Sequence, residues 1–321
     1  MLFEKQIINM YRQMAYTRCD DEGYAYYFSS DDFPGMLRVA YPFTATAGHT
    51  LSGYIYSYPD KSNGRLAVFD HGFGGGHRSY MTEIELLCRR GFTVFAYDHT
   101  GCMESGGEST NGMAQSLADL NDCMNRIKSD GRFSGMDISV IGHSWGGFST
   151  MNIAAMHPEI SRIVAISGFV SVELLVGSYF GGIMMGYRKP IMAIEESTNP
   201  EFVRFNAVES IKSSGVKALL IYSDDDKLCR KKVHYEALRK GLAGCEGVEL
   251  MLVSGKGHNP NYTADAVAYL GEYLRKKTEL TKCGERIDEA TRANFVASFD
   301  WRRMTAQDET VWNKIFEVLE A

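Results

Sequence analysis

The sequence predicts an α/β fold: a mostly parallel central sheet of about eight strands with helices on both faces. Three observations predict it. From Leu66 onward, short apolar runs alternate with longer stretches of helical periodicity, the pattern of parallel strands joined by crossover helices. Runs such as Leu66-Ala67-Val68-Phe69 and Ile138-Ser139-Val140-Ile141 are apolar almost throughout, as strands buried on both faces must be. Gly-rich turns fall where these runs end, the place at which open α/β sheets bind ligands.

The elements follow in order. Residues 1–34 form a leader rich in Tyr, Met and Phe. Ile7, Ile8, Tyr11 and Met14 give it a helical spacing, and it is expected either to pack on the main body or to help form the mouth of a site. Residues 37–43 and 51–58 alternate apolar and polar about the turn Thr46-Ala47-Gly48-His49, an antiparallel hairpin. A buried strand at 66–69 ends in His71-Gly72-Phe73-Gly74-Gly75-Gly76, and a helix spans 79–90 with Gly91 as its stop. A strand at 92–97 leads to a Gly- and Ser-rich loop at 98–111. The helix at 114–130 places Leu117, Leu120, Met124 and Ile127 on one face. Strand 138–141, helix 144–156 and strand 162–166 follow.

Residues 170–207 break the rhythm, and the segment is too long for a simple connection. It is rich in Met, Phe, Tyr and Gly, and is expected to be a helical cap inserted over the site. Soft, polarizable side chains suit an adaptable apolar pocket. Strands at 218–222 and 248–253 and helices at 231–242 and 263–276 complete the alternation. The expected organisation is therefore a leader at 1–34, a catalytic domain at 35–280 with a cap at about 170–207, and a helical C-terminal extension at 281–321. Phe295, Phe299, Trp301, Trp312, Ile315 and Phe316 give that extension apolar surface for docking.

Composition narrows the function. The chain has 321 residues, 45% of them hydrophobic, enough for a large core. A net charge of −6 argues against nucleic-acid or anionic-membrane binding. No apolar stretch approaches a membrane span, and the N-terminus lacks a basic start followed by an apolar core. The cysteines (19, 88, 102, 123, 229, 245 and 283) are scattered, odd in number and without a C-x-x-C pair, which fits reduced thiols in a cytoplasm. No metal cluster and no cofactor are expected: the histidines lack metal-ligand spacing, and the Gly-rich run lacks the phosphate-binding pattern.

The chemistry centres on Gly142-His143-Ser144-Trp145-Gly146. It follows a strand and opens a helix, the setting of a nucleophile elbow. There a serine sits at the apex of a turn strained by roughly 1–3 kcal/mol. Glycines two residues away on either side remove the side chains that would collide. The serine needs an adjacent base, and the base needs an orienting acid.

In its motifs the chain resembles the α/β-hydrolase superfamily, over roughly residues 37–277. The resemblance rests on His71-Gly72-Phe73-Gly74, Gly142-His143-Ser144-Trp145-Gly146, Asp224-Asp225-Asp226 and Gly257-His258, in that order, with support from the loop Asp98 to Gly106. It implies Ser144 as nucleophile and His258, in the Gly-rich turn after the last strand, as base. The spacing from Ser223, where the family usually has Gly, points to Asp226 as the acid, with Asp225 as the alternative. The remaining aspartates are then loop carboxylates or caps of the next helix. By resemblance the oxyanion donors are the backbone N–H groups of Trp145 and Phe73. His71 and Asp98 are expected to support loops, and His77 and Arg78 to be surface residues, with contact to a polar substrate group as the alternative.

The implied function is a serine hydrolase acting on a small-molecule carboxylic ester, a carboxylesterase in the cytoplasm. Proline-specific aminopeptidases of the superfamily share the elbow tryptophan, so an aminopeptidase is an alternative. Its amine-binding acid would come from Glu173, Glu195 or Glu196. A thioesterase, an acyltransferase and a ligand-binding homologue without catalysis are further alternatives.

Overall fold

A computed structural model describes residues 3–282 and 287–321. The leader helix is α1 (Glu4–Ala15). An edge hairpin follows, made of β1 (Leu37–Ala40), β2 (Phe43–Thr44), β3 (Thr50–Leu51) and β4 (Gly53–Ser57). Then come β5 (Arg65–Asp70), α2 (Met81–Arg89), β6 (Thr93–Tyr97), α3 (Gln115–Lys128), β7 (Asp137–His143), α4 (Trp145–Ile153) and β8 (Ile160–Ile166). The segment after β8 carries α5 (Val172–Tyr179), a short 3₁₀ stretch (Gly182–Tyr187) and α6 (Arg188–Thr198). It is followed by α7 (Ala207–Ser214), β9 (Lys217–Ser223), α8 (His234–Gly241), β10 (Val248–Val253) and α9 (Ala264–Thr281). The chain closes with α10 (Glu289–Ala297), α11 (Trp301–Met304) and α12 (Glu309–Glu320).

The eight-stranded sheet has the order β1-β4-β6-β5-β7-β8-β9-β10. The pairs β1–β4 and β4–β6 are antiparallel, and the other five pairs are parallel. The expected hairpin at 37–58 is interrupted at Tyr41-Pro42. Proline has no N–H to give a ladder, so the strand divides there. The two tips pair separately, as β2 with β3. The alternating pattern of β1 does not bury one face, since all four residues are exposed at the sheet edge.

The strands alternate between two cores. Leu66 and Val68 of β5, Val140 of β7 and Leu220 of β9 face α3, α4, α7 and α8. Ala67, Phe69, Ile141 and Ile221 face the other way, against Ile84 and Leu87 of α2 and Val311, Trp312, Ile315 and Leu319 of α12. The C-terminal helix therefore supplies one layer of the sheet. Its five buried apolar side chains contribute on the order of 10 kcal/mol of gross burial energy. A third small cluster joins Tyr273 of α9 to Phe299 and Met304. No helix among the described residues is long and apolar enough to cross a membrane. Cys283 lies outside the described residues, and the other six cysteines are free thiols.

Candidate active site

Strand β7 delivers Ser144 directly into the N-terminus of α4. Its backbone, φ 57 and ψ −109, is a conformation that L-residues rarely adopt, and the surroundings enforce it. A Cβ on Gly142 would overlap the Gly146 carbonyl, and one on Gly146 would overlap the Asp70 carbonyl, so both must be glycine. The Ser144 N–H is anchored to the Ile166 carbonyl at 2.8 Å. This leaves the hydroxyl half-exposed at the carboxyl end of the sheet.

His258 arrives from the loop after β10. Its Nε2 lies 2.8 Å from Ser144 Oγ, and its Nδ1 lies 2.8 Å from Asp226 Oδ2. Asp226 is 4% exposed. Burial pushes its carboxyl up, but the His258 hydrogen bond and the N–H groups of Leu228 and Cys229 outweigh burial and hold it below the usual range. The neighbouring aspartates build the loop instead. Asp225 accepts from the Ser223 hydroxyl at 2.6 Å and from the Gly257 N–H at 2.8 Å. Asp224 accepts from the Ser254 hydroxyl and the Gly255 N–H. Neither caps α8, whose N-cap is Val233 without a side-chain bond. All three carboxylates thus converge on the turn that carries His258.

Phe73 and Trp145 flank Ser144 in the cavity wall, their rings 5.1 Å apart at 72°. As the first residue of α4, Trp145 has an N–H with no partner inside the helix. Gly72, just before Phe73, is gripped on both sides. Its N–H donates to the Tyr80 hydroxyl at 3.0 Å, and its carbonyl accepts from His71 Nδ1 at 2.8 Å. In a planar trans peptide, fixing the Gly72 carbonyl also fixes the opposed direction of the Phe73 N–H. His71 in turn accepts the His99 N–H on Nε2, at 2.9 Å. Burial, and then the charge of His99, push the His71 ring down to about 3, so it stays neutral and keeps this tautomer.

Beneath Trp145 lies a fully buried ionic group that no sequence motif marks. His99 Nε2 is 3.0 Å from Asp70, out of line for a hydrogen bond, and Nδ1 is 3.2 Å from Asp119. Burial alone would depress the ring, yet the two carboxylates lift it to about 10. Its ring centroid is 4.7 Å from that of Trp145, with the rings tilted by 53°, a cation held against the elbow. His77 is also buried, contrary to its expected place on the surface. Its Nδ1 meets Asp98 at 2.7 Å and its Nε2 meets the Tyr56 hydroxyl. Arg78 is half-buried, bonded to the carbonyls of Tyr27 and Phe28.

A cavity of about 580 Å³ opens onto Ser144. Met10, Tyr11 and Met14 of α1 line it from one side, and Leu175, Val176, Tyr179, Phe180 and Met184 from another. Tyr11 and Ala15 of the leader helix pack in the main core, while Met10 and Met14 line the cavity. Glu195 of α6 fastens the helix there: it is buried, and accepts from the Tyr11 hydroxyl at 2.6 Å, the Tyr16 hydroxyl at 3.1 Å and the Met113 N–H at 2.9 Å. Glu196 pairs with Arg204, and Glu173 is exposed. Neither these three glutamates nor any other charged side chain among the described residues lines the cavity.

One group among the described residues has donor atoms close enough to share a metal ion: Asp226, Cys229 and His258, within 4.8 Å. Both ring nitrogens of His258 are already engaged, and burial keeps the Cys229 thiol protonated. The donor chemistry fits a hydrogen-bonded pair better than a metal.

Serine at a strained strand-to-helix apex, bonded to a histidine bonded to a buried aspartate, on this sheet order, decides the relationship. The chain belongs to the α/β-hydrolase superfamily. The family model described as serine aminopeptidase, S33 matches residues 61–207. The human acylamino-acid-releasing enzyme is 26% identical over 132 residues, 38% of this chain and 18% of that protein. This α/β hydrolase therefore spans under a fifth of that relative's length. The Pyrococcus furiosus esterase Pf2001 superposes with a TM-score of 0.59 at 19% identity, covering 80% of this chain and 96% of the esterase. Est1E of Butyrivibrio proteoclasticus, solved with ferulic acid, gives 0.55 at 18% identity, covering 74% and 98%. At these identities the structural likeness is one of fold.

Proposed function

We propose that this chain is a serine hydrolase that cleaves carboxylic esters with a neutral, apolar acyl group. One observation carries the reading: the Ser144–His258–Asp226 chain opens into a cavity lined by uncharged and mostly apolar side chains. His258 Nε2 takes the Ser144 proton as Oγ attacks the ester carbonyl carbon. The carbonyl oxygen becomes an oxyanion, which the N–H groups of Phe73 and Trp145 receive. Each such donor is worth about 3 kcal/mol in the transition state. Collapse expels the alcohol, which takes the proton from His258 and leaves an acyl-Ser144 ester. Water then gives a proton to Nε2 and attacks the acyl carbon, releasing the acid and restoring Ser144. Asp226 holds the ring tautomer and balances its transient positive charge.

An aminopeptidase reading needs an anionic group for the substrate's ammonium. Glu173, Glu195 and Glu196 are not among the lining residues, and Glu195 is taken up behind the wall by Tyr11, Tyr16 and Met113, so the ester reading is favoured. Thioesters and acyl transfer need no such group and remain open to the same chemistry.

The test is hydrolysis of a p-nitrophenyl ester ladder, from acetate to dodecanoate, by wild type and Ser144→Ala. The variant is expected to lose about a millionfold in kcat, the scale for a lost triad nucleophile. Equal turnover by both proteins overturns the assignment. A wild type inert to every ester but active on aminoacyl amides, with Ser144 labelled by a fluorophosphonate, replaces the ester by a peptide.

A further inference from the structure

Three polar groups, the Gly72 N–H, the half-buried Tyr80 and the buried His143, join the two sides of the site in one chain. The Gly72 N–H donates to the Tyr80 hydroxyl oxygen at 3.0 Å. That oxygen lies 2.9 Å from Nδ1 of His143, and Nε2 of His143 lies 2.8 Å from the main-chain carbonyl of His258. A carbonyl oxygen only accepts, so Nε2 carries the proton and Nδ1 of the neutral ring is an acceptor. Tyr80 must then donate to Nδ1 while its oxygen receives the Gly72 N–H. Every link has one allowed direction.

We propose that Tyr80 and His143 are positioning residues that tie the oxyanion loop to the loop carrying the base. This rests on the roles proposed above for Ser144, His258 and Phe73. Gly72 belongs to the peptide whose N–H side leads into Phe73, and it sits directly over the pair. A Cβ there would come within 2.5 Å of the Tyr80 hydroxyl. At the far end, the chain holds the backbone of His258 itself, while Asp226 holds only the ring. The distance between the oxyanion donor and the base is thereby set by a hydrogen-bonded strut rather than by two independent loops. The strut needs a neutral His143, because a proton on Nδ1 would face the Tyr80 donor. Burial, and then the nearby His258, push that ring down to about 3 and keep the acceptor free.

Tyr80→Phe tests this, since it removes one oxygen and keeps the ring that packs on Phe69 at 5.2 Å. The expected result is a fall in kcat of roughly ten- to a hundredfold with KM within about twofold, because a misplacement of about 1 Å costs about 10² in rate. His143→Gln should behave alike. Residues in one chain are not additive, so the double variant should be no slower than the slower single variant. Unfolding midpoints of all three are measured alongside to exclude misfolding, and Ser144→Ala is run in the same assay. A Tyr80→Phe enzyme within about twofold of wild-type kcat, or single effects that multiply in the double variant, overturns the coupling and leaves the triad intact. Turnover that survives in Ser144→Ala instead removes the assignment on which the coupling rests.

Discussion

The ammonium of Lys256 lies 2.6 Å from the carboxylate of Asp308, joining the turn that carries His258 to the C-terminal extension. The same ammonium donates to the Tyr262 carbonyl, and Asp308 also caps α12 by accepting from Thr310 and Val311. Residues beside Asp308 pair with those just after His258: the Asp308 N–H bonds Asn261, and the Thr263 N–H bonds Ala306. The extension therefore buttresses the turn that carries His258 as well as covering the sheet.

Asp308→Ala removes the cap and leaves the mostly buried Lys256 without its counter-charge. A lost cap costs about 1 kcal/mol. Breaking a buried pair costs about 3–5 kcal/mol, less here because Asp308 is partly solvated. A loss of about 2–3 kcal/mol in urea unfolding is expected, with kcat down about tenfold. Asp308→Asn should keep the cap and lose less. An alanine variant as stable and as fast as wild type would show that the contact does not hold the loop.

Asp226 and Asp225 separate cleanly by substitution. Asp226→Asn preserves shape but presents a donor to Nδ1 of His258, forcing the wrong tautomer, and kcat should fall about ten-thousandfold. Asp225→Asn keeps an acceptor for the Ser223 hydroxyl and the Gly257 N–H, so kcat should stay within about tenfold. The reverse ranking in steady-state kinetics would exchange their roles.

How much of this was legible depended on whether a feature is local. The strand-turn-helix about Ser144 is encoded within ten residues, and the parallel character of the sheet follows from the alternation, whereas the strand order, with β5 between β6 and β7, does not. The family resemblance points to Asp226 from Ser223, three residues away, and leaves Asp225 as the alternative; in the structure it is Asp226 that meets His258. His143 lies within the serine motif, yet its partners Tyr80 and His258 are 63 and 115 residues away, so nothing in the motif reveals a strut. His77 reads as a surface residue beside Arg78, but the burying groups are distant in sequence: Tyr56 on β4 and Asp98 just after β6. Lys256 and Asp308 are ordinary charges until the extension folds back. A polar residue inside a buried strand end, as at His99, was the one signal available for the ionic cluster.

His99 makes stability depend on pH in a defined direction. Unfolded, the ring titrates near 6.5. Folded between Asp70 and Asp119, it titrates at about 10. A raised folded value means that the stabilisation is complete below about pH 6.5 and is lost as pH climbs through about 10. Urea unfolding at pH 7 and pH 9.5 should differ by about 2–3 kcal/mol in wild type, and the slope should shrink in His99→Gln. A flat profile over that window would show that the ring is neutral.

On the proposed reading the cavity wall sets substrate size, and Val176 is the residue that tests it. It is 3% exposed and lines the cavity together with Phe169 and Phe180, which are 2% and 8% exposed. These three are buried lining residues and form the inner part of the cavity on that reading, whereas Met10, Met14 and Leu228 are exposed. A longer acyl chain gains about 0.8 kcal/mol for each methylene buried there. Enlarging Val176 to Trp fills that part, so kcat/KM for the longer p-nitrophenyl esters should fall by at least about tenfold while acetate changes little. A pocket discriminates one methylene by about 1–3 kcal/mol, so the optimum should shorten by two or more carbons. A uniform loss across the ladder would mean that Val176 supports the fold of α5 and that acyl chains bind elsewhere. An unchanged optimum would place the acyl group toward Met10 and Met14, with the alcohol in the inner part.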